Sequence, residues 1–176
     1  AVLDRIEELD GKSEQISMEK FRAYLQMDNM EKAFGEIQSL TDEYPYDMRY
    51  RTVMGDMYLS VGRNDEALKV YSGILKEEPD YAPAMISLAS YYQKTGQDSL
   101  YAVQTDSILV NGNVEPGVKM NFMRQLILKS EQTDRDSTKI IGLFEKMMGR
   151  KQTTADVAML YAQYLISKKM EKESVP

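Results

Sequence analysis

The chain has 176 residues, 43% apolar and 28% charged, with only 5 prolines and 10 glycines, so it is long enough to bury a continuous core and is not disordered or fibrous. It has neither cysteine nor histidine, which excludes thiolate chemistry, the commonest nucleophile–base pairs and cysteine or histidine zinc sites. A net charge of -6, with lysines and arginines scattered among acids, argues against duplex nucleic acid and anionic membranes as partners.

Helix formers dominate and β-branched runs are short, so an all-α protein is expected. No apolar run approaches the ~20 residues of a membrane-spanning helix, and no signal peptide opens the chain. Taken along the chain, the helices recur with a period of 34. Tyr24, Tyr58 and Tyr92 share that interval, as do Ala33 and Ala67, Pro45 and Pro79, Leu40, Ile74 and Ile108, and Gly62 and Gly96.

Residues 1–13 read as the second half of an earlier repeat, because Leu3 and Ile6 match Ile37 and Leu40. Repeats follow at 14–47 and 48–81. In the second of these, Met54, Tyr58 and Val61 line a first helix, Gly62-Arg63-Asn64 breaks it, and Ala67, Leu68, Tyr71, Ile74 and Leu75 line the next. Gly62 suits a left-handed helix end, Asn64 is placed to cap the following helix, and Pro79 to start the one after.

Within the third repeat, 82–120, the phase slips by five residues after Ile108, since Tyr101, Thr105 and Ile108 find counterparts at Ile140, Phe144 and Met147, an interval of 39. The turn formers at 111–117 are the expected place for the added residues. A degenerate repeat, 121–154, and a partial one, 155–176, complete the series. The start at Ala1 and the helical pattern running to Pro176 read as a piece trimmed from a longer chain, with end faces prone to end-to-end self-association.

Gly55, Tyr58, Gly62, Ala67, Tyr71 and Pro79 stand where the tetratricopeptide repeat has its small, aromatic and proline residues, and the chain resembles that family over essentially its whole length. Phe21 departs from the pattern at a small position, Asp28 at the turn glycine and Tyr101 at the small position of its helix, where altered helix spacing is expected. The resemblance implies a right-handed superhelical solenoid of antiparallel helix pairs, about four whole repeats flanked by two half repeats, and a concave groove as the working surface. It places on that groove Met18, Thr52, Ile86, Gln125 and Met159 in one row, Arg22, Asp56, Ser90, Lys129 and Gln163 in a second, and Leu25, Leu59, Gln93, Gln132 and Ile166 in a third.

Apolar residues interleaved with single charges of both signs suit an extended peptide or an amphipathic helix. The clamps by which some family members hold a terminal carboxylate need lysine and asparagine, and Thr52, Asp56 and Gln93 stand there instead. The 13 methionines and the tyrosines Tyr58, Tyr71 and Tyr92 are read as core, with only Met18 and Met159 placed for contact. The carboxylate pairs Glu77–Glu78 and Asp134–Asp136 are read as solvated helix ends, Asn111-Gly112-Asn113 as loop length, and the lysine-rich stretch 168–172 as a helix junction. No catalytic residue, cofactor or metal is expected. The function expected is a non-catalytic protein- or peptide-binding scaffold or adaptor; the alternative is a regulatory or sensor segment of a larger protein that binds a small signal. The compartment stays open between cytoplasm and periplasm, with a lipid anchor in the full-length protein one of the options.

Overall fold

The computed structural model describes residues 2–132, 137–150 and 155–168, and the regular elements among them are all helices. In chain order they are α1 (Val2–Asp10), α2 (Glu14–Gln26), α3 (Met30–Glu43), α4 (Met48–Ser60), α5 (Asn64–Glu77), α6 (Ala82–Lys94), α7 (Asp98–Val110), α8 (Pro116–Gln132), α9 (Ser137–Met148) and α10 (Asp156–Ser167). They divide into two compact units, Ala1–Thr95 and Gly96–Pro176. The border falls at the turn of the repeat in which Tyr101 replaces a small residue.

In the first unit the turns obey the period. Asp28 (φ 55°) and Gly62 (φ 79°) are both left-handed, and the residue after each sends its N–H back to the carbonyl of Tyr24 or Tyr58, both at 2.8 Å. Aspartate tolerates that conformation better than most side chains do, so Asp28 serves in place of the glycine. The helices α2, α3 and α4 are capped by Ser13, Asn29 and Asp47, whose side chains accept from the N–H groups of Ile16, Lys32 and Arg49.

Two expected caps are not formed. Asn64 is already the first residue of α5 and its Oδ1 has no partner, while Arg63 occupies the cap position and lies 4.4 Å from the centroid of the Tyr58 ring. Pro79 remains in the connection before α6, and it is Pro83 that occupies the first turn of that helix, where the missing N–H costs nothing.

The core of this unit is built on paired positions of facing helices. Gly55 on α4 lies under the fully buried Tyr71 ring of α5, so close that a Cβ there would come within 2.6 Å of Tyr71 Cε1. In the preceding pair the bulk is exchanged: Phe21 fills the position of Gly55, and Ile37 that of Tyr71, both buried. The half repeat α1 is tied on by charge. Lys20, buried on α2, places its Nζ 2.7 Å from Asp4, 2.6 Å from Glu7 and 3.9 Å from Glu36. The ammonium holds the Asp4 carboxyl down to about 2, and the two carboxylates hold the ammonium above its ordinary range.

In the second unit, Met120 and Met123 of α8, Ile140, Leu143, Phe144 and Met147 of α9, and Val157 and Tyr164 of α10 form one core with Leu109 of α7. Phe144 stacks on Tyr161, centroids 4.7 Å apart at 17°, and meets Tyr164 at 5.9 Å. The five added residues are not in 111–117. Helix α8 starts at Pro116, 34 residues after the start of α6, and runs for 17 residues against 13. Helix α9 starts 39 residues after α7. Four of the added residues therefore extend the far end of α8 by about one turn, and the hairpin begins at 116 rather than 121.

Asp134, Asp136 and the stretch 169–176 lie outside the described residues. Lys168, the one member of the lysine-rich stretch within them, pairs with Glu131.

Candidate functional site

The expected wall is the outward side of α2, α4 and α6 in the first unit. Met18 and Ile86 are half-buried, and Leu25 is 38% exposed. Arg22, Ser90 and Gln93 are exposed; Arg22 pairs with Glu19, and the Ser90 hydroxyl donates to the Ile86 carbonyl at 3.2 Å. Thr52 and Leu59 do not belong on an open surface. Thr52 is 4% exposed with its hydroxyl donating to the Met48 carbonyl at 2.6 Å, and Leu59 is 8% exposed in the core beside Tyr71 and Leu88. A helix this close to its neighbours has fewer outward positions than the row pattern allots it.

Asp56 is the most informative member. Its Oδ1 accepts a hydrogen bond of 2.7 Å from the Tyr71 hydroxyl, which reaches it from α5, and the Ser87 side chain of α6 stands near enough to favour its charge. The residue keeps an exposed edge, yet the surrounding protein pushes its carboxyl above the ordinary value, an effect only partly offset by the two hydroxyls. Among the described residues no lysine or arginine pairs with it. The Tyr71 hydroxyl is in turn pushed far up by its burial and by the Asp56 charge.

Neither Tyr71 nor Ser87 stood out in the sequence as part of a site, because both occupy core positions of their helices. The available signal was chemical: a buried tyrosine hydroxyl requires a partner. Lys94 was also missed. It donates to the Leu59 carbonyl at 2.6 Å and so closes the end of α4 from α6.

In the second unit the rows are displaced. With α8 starting at Pro116, the positions 34 residues after Ile86, Ser90 and Gln93 are Met120, Arg124 and Ile127, not Gln125, Lys129 and Gln132. Met120 is buried and offers no outward position on α8. Gln125, Lys129 and Gln132 are exposed, and Lys129 pairs with Asp98 of α7 at 3.0 Å. On α10, Met159, Gln163 and Ile166 are exposed. Of the remaining methionines, Met27 is 63% exposed and Met54, Met57, Met85 and Met147 are core. Glu77, expected to be solvated, is engaged by Arg51 through two bonds of 2.7 and 2.8 Å.

A separate cleft of about 460 Å³ opens between α3, α4 and α5, with Met54, Tyr58, Val70 and Gly73 as its apolar wall and Arg51 and Lys69 as its cations. Among the described residues there is no group of three or more acidic side chains able to hold a metal ion, and no helix long and apolar enough to cross a membrane.

No family model and no curated protein matches the sequence. Solved structures do match its fold. MamA from Desulfovibrio magneticus RS-1 superposes with a TM-score of 0.55 at 14% identity, over 91% of this chain and 88% of that one. A further crystal structure of MamA gives 0.53 at 14% identity over 92% and 85%, and a MamA point mutant 0.52 at 15% over 91% and 90%. These likenesses concern the arrangement of helices: the chain shares the all-helical repeat fold of tetratricopeptide type.

Proposed function

We propose that the chain is a non-catalytic scaffold that holds a protein or peptide segment against the outward face of α2, α4 and α6. The observation that carries this reading is that, of the positions the repeat register assigns to this face, Leu25, Ile86 and Met18 stay at least partly open beside the exposed Asp56 and Arg22, apolar side chains interrupted by single charges. Such a surface suits a chain segment that alternates apolar and polar side chains. The residue inventory supports the non-catalytic part, since without histidine and cysteine the usual nucleophile–base pairs cannot be assembled.

The test changes Leu25 and Ile86 to lysine, singly and together, while Thr52 and Leu59, being core, are left alone. Proteins retained by the wild-type chain from a lysate of its source are expected to be lost by the double variant with its helicity unchanged. Retention of every partner by a folded double variant contradicts the reading.

The alternative, a sensor segment for a small signal, is supported by the cleft beside Tyr58. Gly73→Leu would fill that cleft without touching the outward face, and would abolish any thermal shift produced by a small molecule bound there.

A further inference from the structure

The fold accounts for a hydrogen-bond acceptor at position 56 but not for a charge. Tyr71 is fully buried and its hydroxyl needs an acceptor. The amide oxygen of an asparagine would accept the same bond from Tyr71. Aspartate instead places a full negative charge beside the Tyr71 hydroxyl at an exposed position, where among the described residues no cation answers it. A charge held in that way is unfavourable for the isolated fold, because desolvation is not repaid by an opposite charge. Several acids of the same unit do face a cation: Asp4 and Glu7 face Lys20, Asp47 faces Arg49, Glu66 faces Arg63 and Glu77 faces Arg51. The hydrogen bond from the buried Tyr71 of α5 orients the Asp56 carboxylate before a guest arrives.

Its surroundings indicate what would complete it. Ser90 and Gln93 on α6 are exposed and neutral, and the apolar side chains of the face are Ile86 and Leu25. A guest that carries one cation between apolar groups matches this pattern, and an anionic guest is opposed by it.

We infer that Asp56, oriented by Tyr71, is a receptor for a single arginine or lysine side chain of an extended peptide partner laid along α4 and α6. This assignment rests on the scaffold reading above and names the chemistry of its guest. The charge is oriented on one side by the tyrosine hydroxyl and is open on the other, so a guanidinium or ammonium group would find a preformed acceptor rather than having to order one.

The test uses the full chain and a display library of random short peptides. Peptides selected on the wild type are expected to share a basic residue at one fixed position flanked by apolar ones. Asp56→Asn, which keeps an acceptor for Tyr71, is expected to melt at the wild-type temperature and to weaken those peptides about tenfold. Replacing the peptide's basic residue by glutamine should weaken wild-type binding to the same extent and leave binding to Asp56→Asn unchanged. Equal affinity of the selected peptides for wild type and Asp56→Asn overturns the inference. If those peptides are lost on changing Leu25 and Ile86 to lysine, the scaffold reading survives that result. Selected peptides indifferent to all three positions, or a selection that returns none, remove both.

Discussion

The hairpins α4–α5 and α8–α9 meet the same packing problem with opposite residues. In the first, a glycine admits an aromatic ring: Gly55 lies under Tyr71, and the ring's hydroxyl is turned outward to Asp56. In the second, the residue that follows Tyr71 through the repeat is Phe144, which has no hydroxyl, is enclosed by the flexible methionines Met120, Met123 and Met147, and stacks on Tyr161. The first hairpin follows its repeat pattern closely and carries a polar handle to its surface. The second departs from the pattern, extends its first helix by about a turn, and encloses the ring among methionines and the rings of Tyr161 and Tyr164. The same repeat position thus buries a ring with a hydroxyl in one hairpin and a ring without one in the other, and between them the small, fully buried Thr105.

The comparison breaks most sharply at Phe144. Changing it to alanine removes a fully buried ring in contact with two tyrosines, and a loss of about 3–5 kcal/mol is expected. Urea melts should show that loss, and hydrogen exchange should place it in residues 96–168 among those described. An effect below about 1 kcal/mol would mean that the methionines close over the gap, and that the second core is filled by adaptable side chains alone.

Next in size is Gly55→Ala. Alanine favours a helix by about 1 kcal/mol over glycine, so a simple propensity argument predicts stabilisation. Its Cβ, however, would meet the Tyr71 ring at 2.6 Å, and a fully buried ring has no free space to retreat into. Overpacking of this kind is expected to win, with a net loss of about 1–3 kcal/mol. Combining it with Tyr71→Leu should recover part of the loss. If the single variant is as stable as the wild type, the small-under-large pairing is not what sets the approach of α4 and α5.

The repeat itself was legible because its punctuation is chemical. Gly62 and the residues around it could be read as a helix end before any coordinate was known, and Asp28 could be recognised as its substitute. What was not legible was the location of an insertion. The stretch 111–117 is rich in turn formers and was the natural place for five extra residues, yet a helix can absorb four residues as about one more turn without altering which face it buries. That displaced Gln125, Lys129 and Gln132 from the expected face. Thr52 and Leu59 were misplaced for another reason: a row rule gives one exposed edge per turn, but α4 is enclosed by α3, α5 and α6 and buries more of its circumference. The partners of Asp56 were hidden because the residues that hold it belong to core positions.

A smaller effect is expected at the start of the chain, where α1 depends on Lys20. Because the Asp4 carboxyl is held down to about 2 by the ammonium, the pairing contributes fully above the ordinary carboxylate value of about 4 and is lost as pH falls through about 2. Amide protection in α1 should therefore decline over that acid window while α4 and α5 are unaffected. Lys20→Met should lower the protection at neutral pH, since Asp4, Glu7 and Glu36 would then repel one another, and reverse the acid dependence, because protonation would relieve that repulsion. Protection of α1 that is indifferent to Lys20→Met would show that the helix is held by its apolar face.

The smallest stability effect sharpens the comparison the most. Asp56→Asn keeps an acceptor for Tyr71 and removes only the charge. Because the folded protein holds this carboxyl above its ordinary value, the ionised form is the less favoured one in the folded state, and its contribution to stability declines as pH rises from the ordinary value through the raised one. At neutral pH the asparagine variant is therefore expected to be as stable as the wild type or slightly more so, and the difference should vanish below about pH 4. Tyr71→Phe supplies the complementary change, giving α5 the ring that α9 already carries at Phe144; it should retain the packing and remove the bond to Asp56. If Asp56→Asn instead destabilises the protein at neutral pH, the charge is part of what holds α4, α5 and α6 together. The polar handle of the first hairpin would then be a structural bond, equivalent in purpose to the stacking of Phe144, rather than a feature kept for a guest.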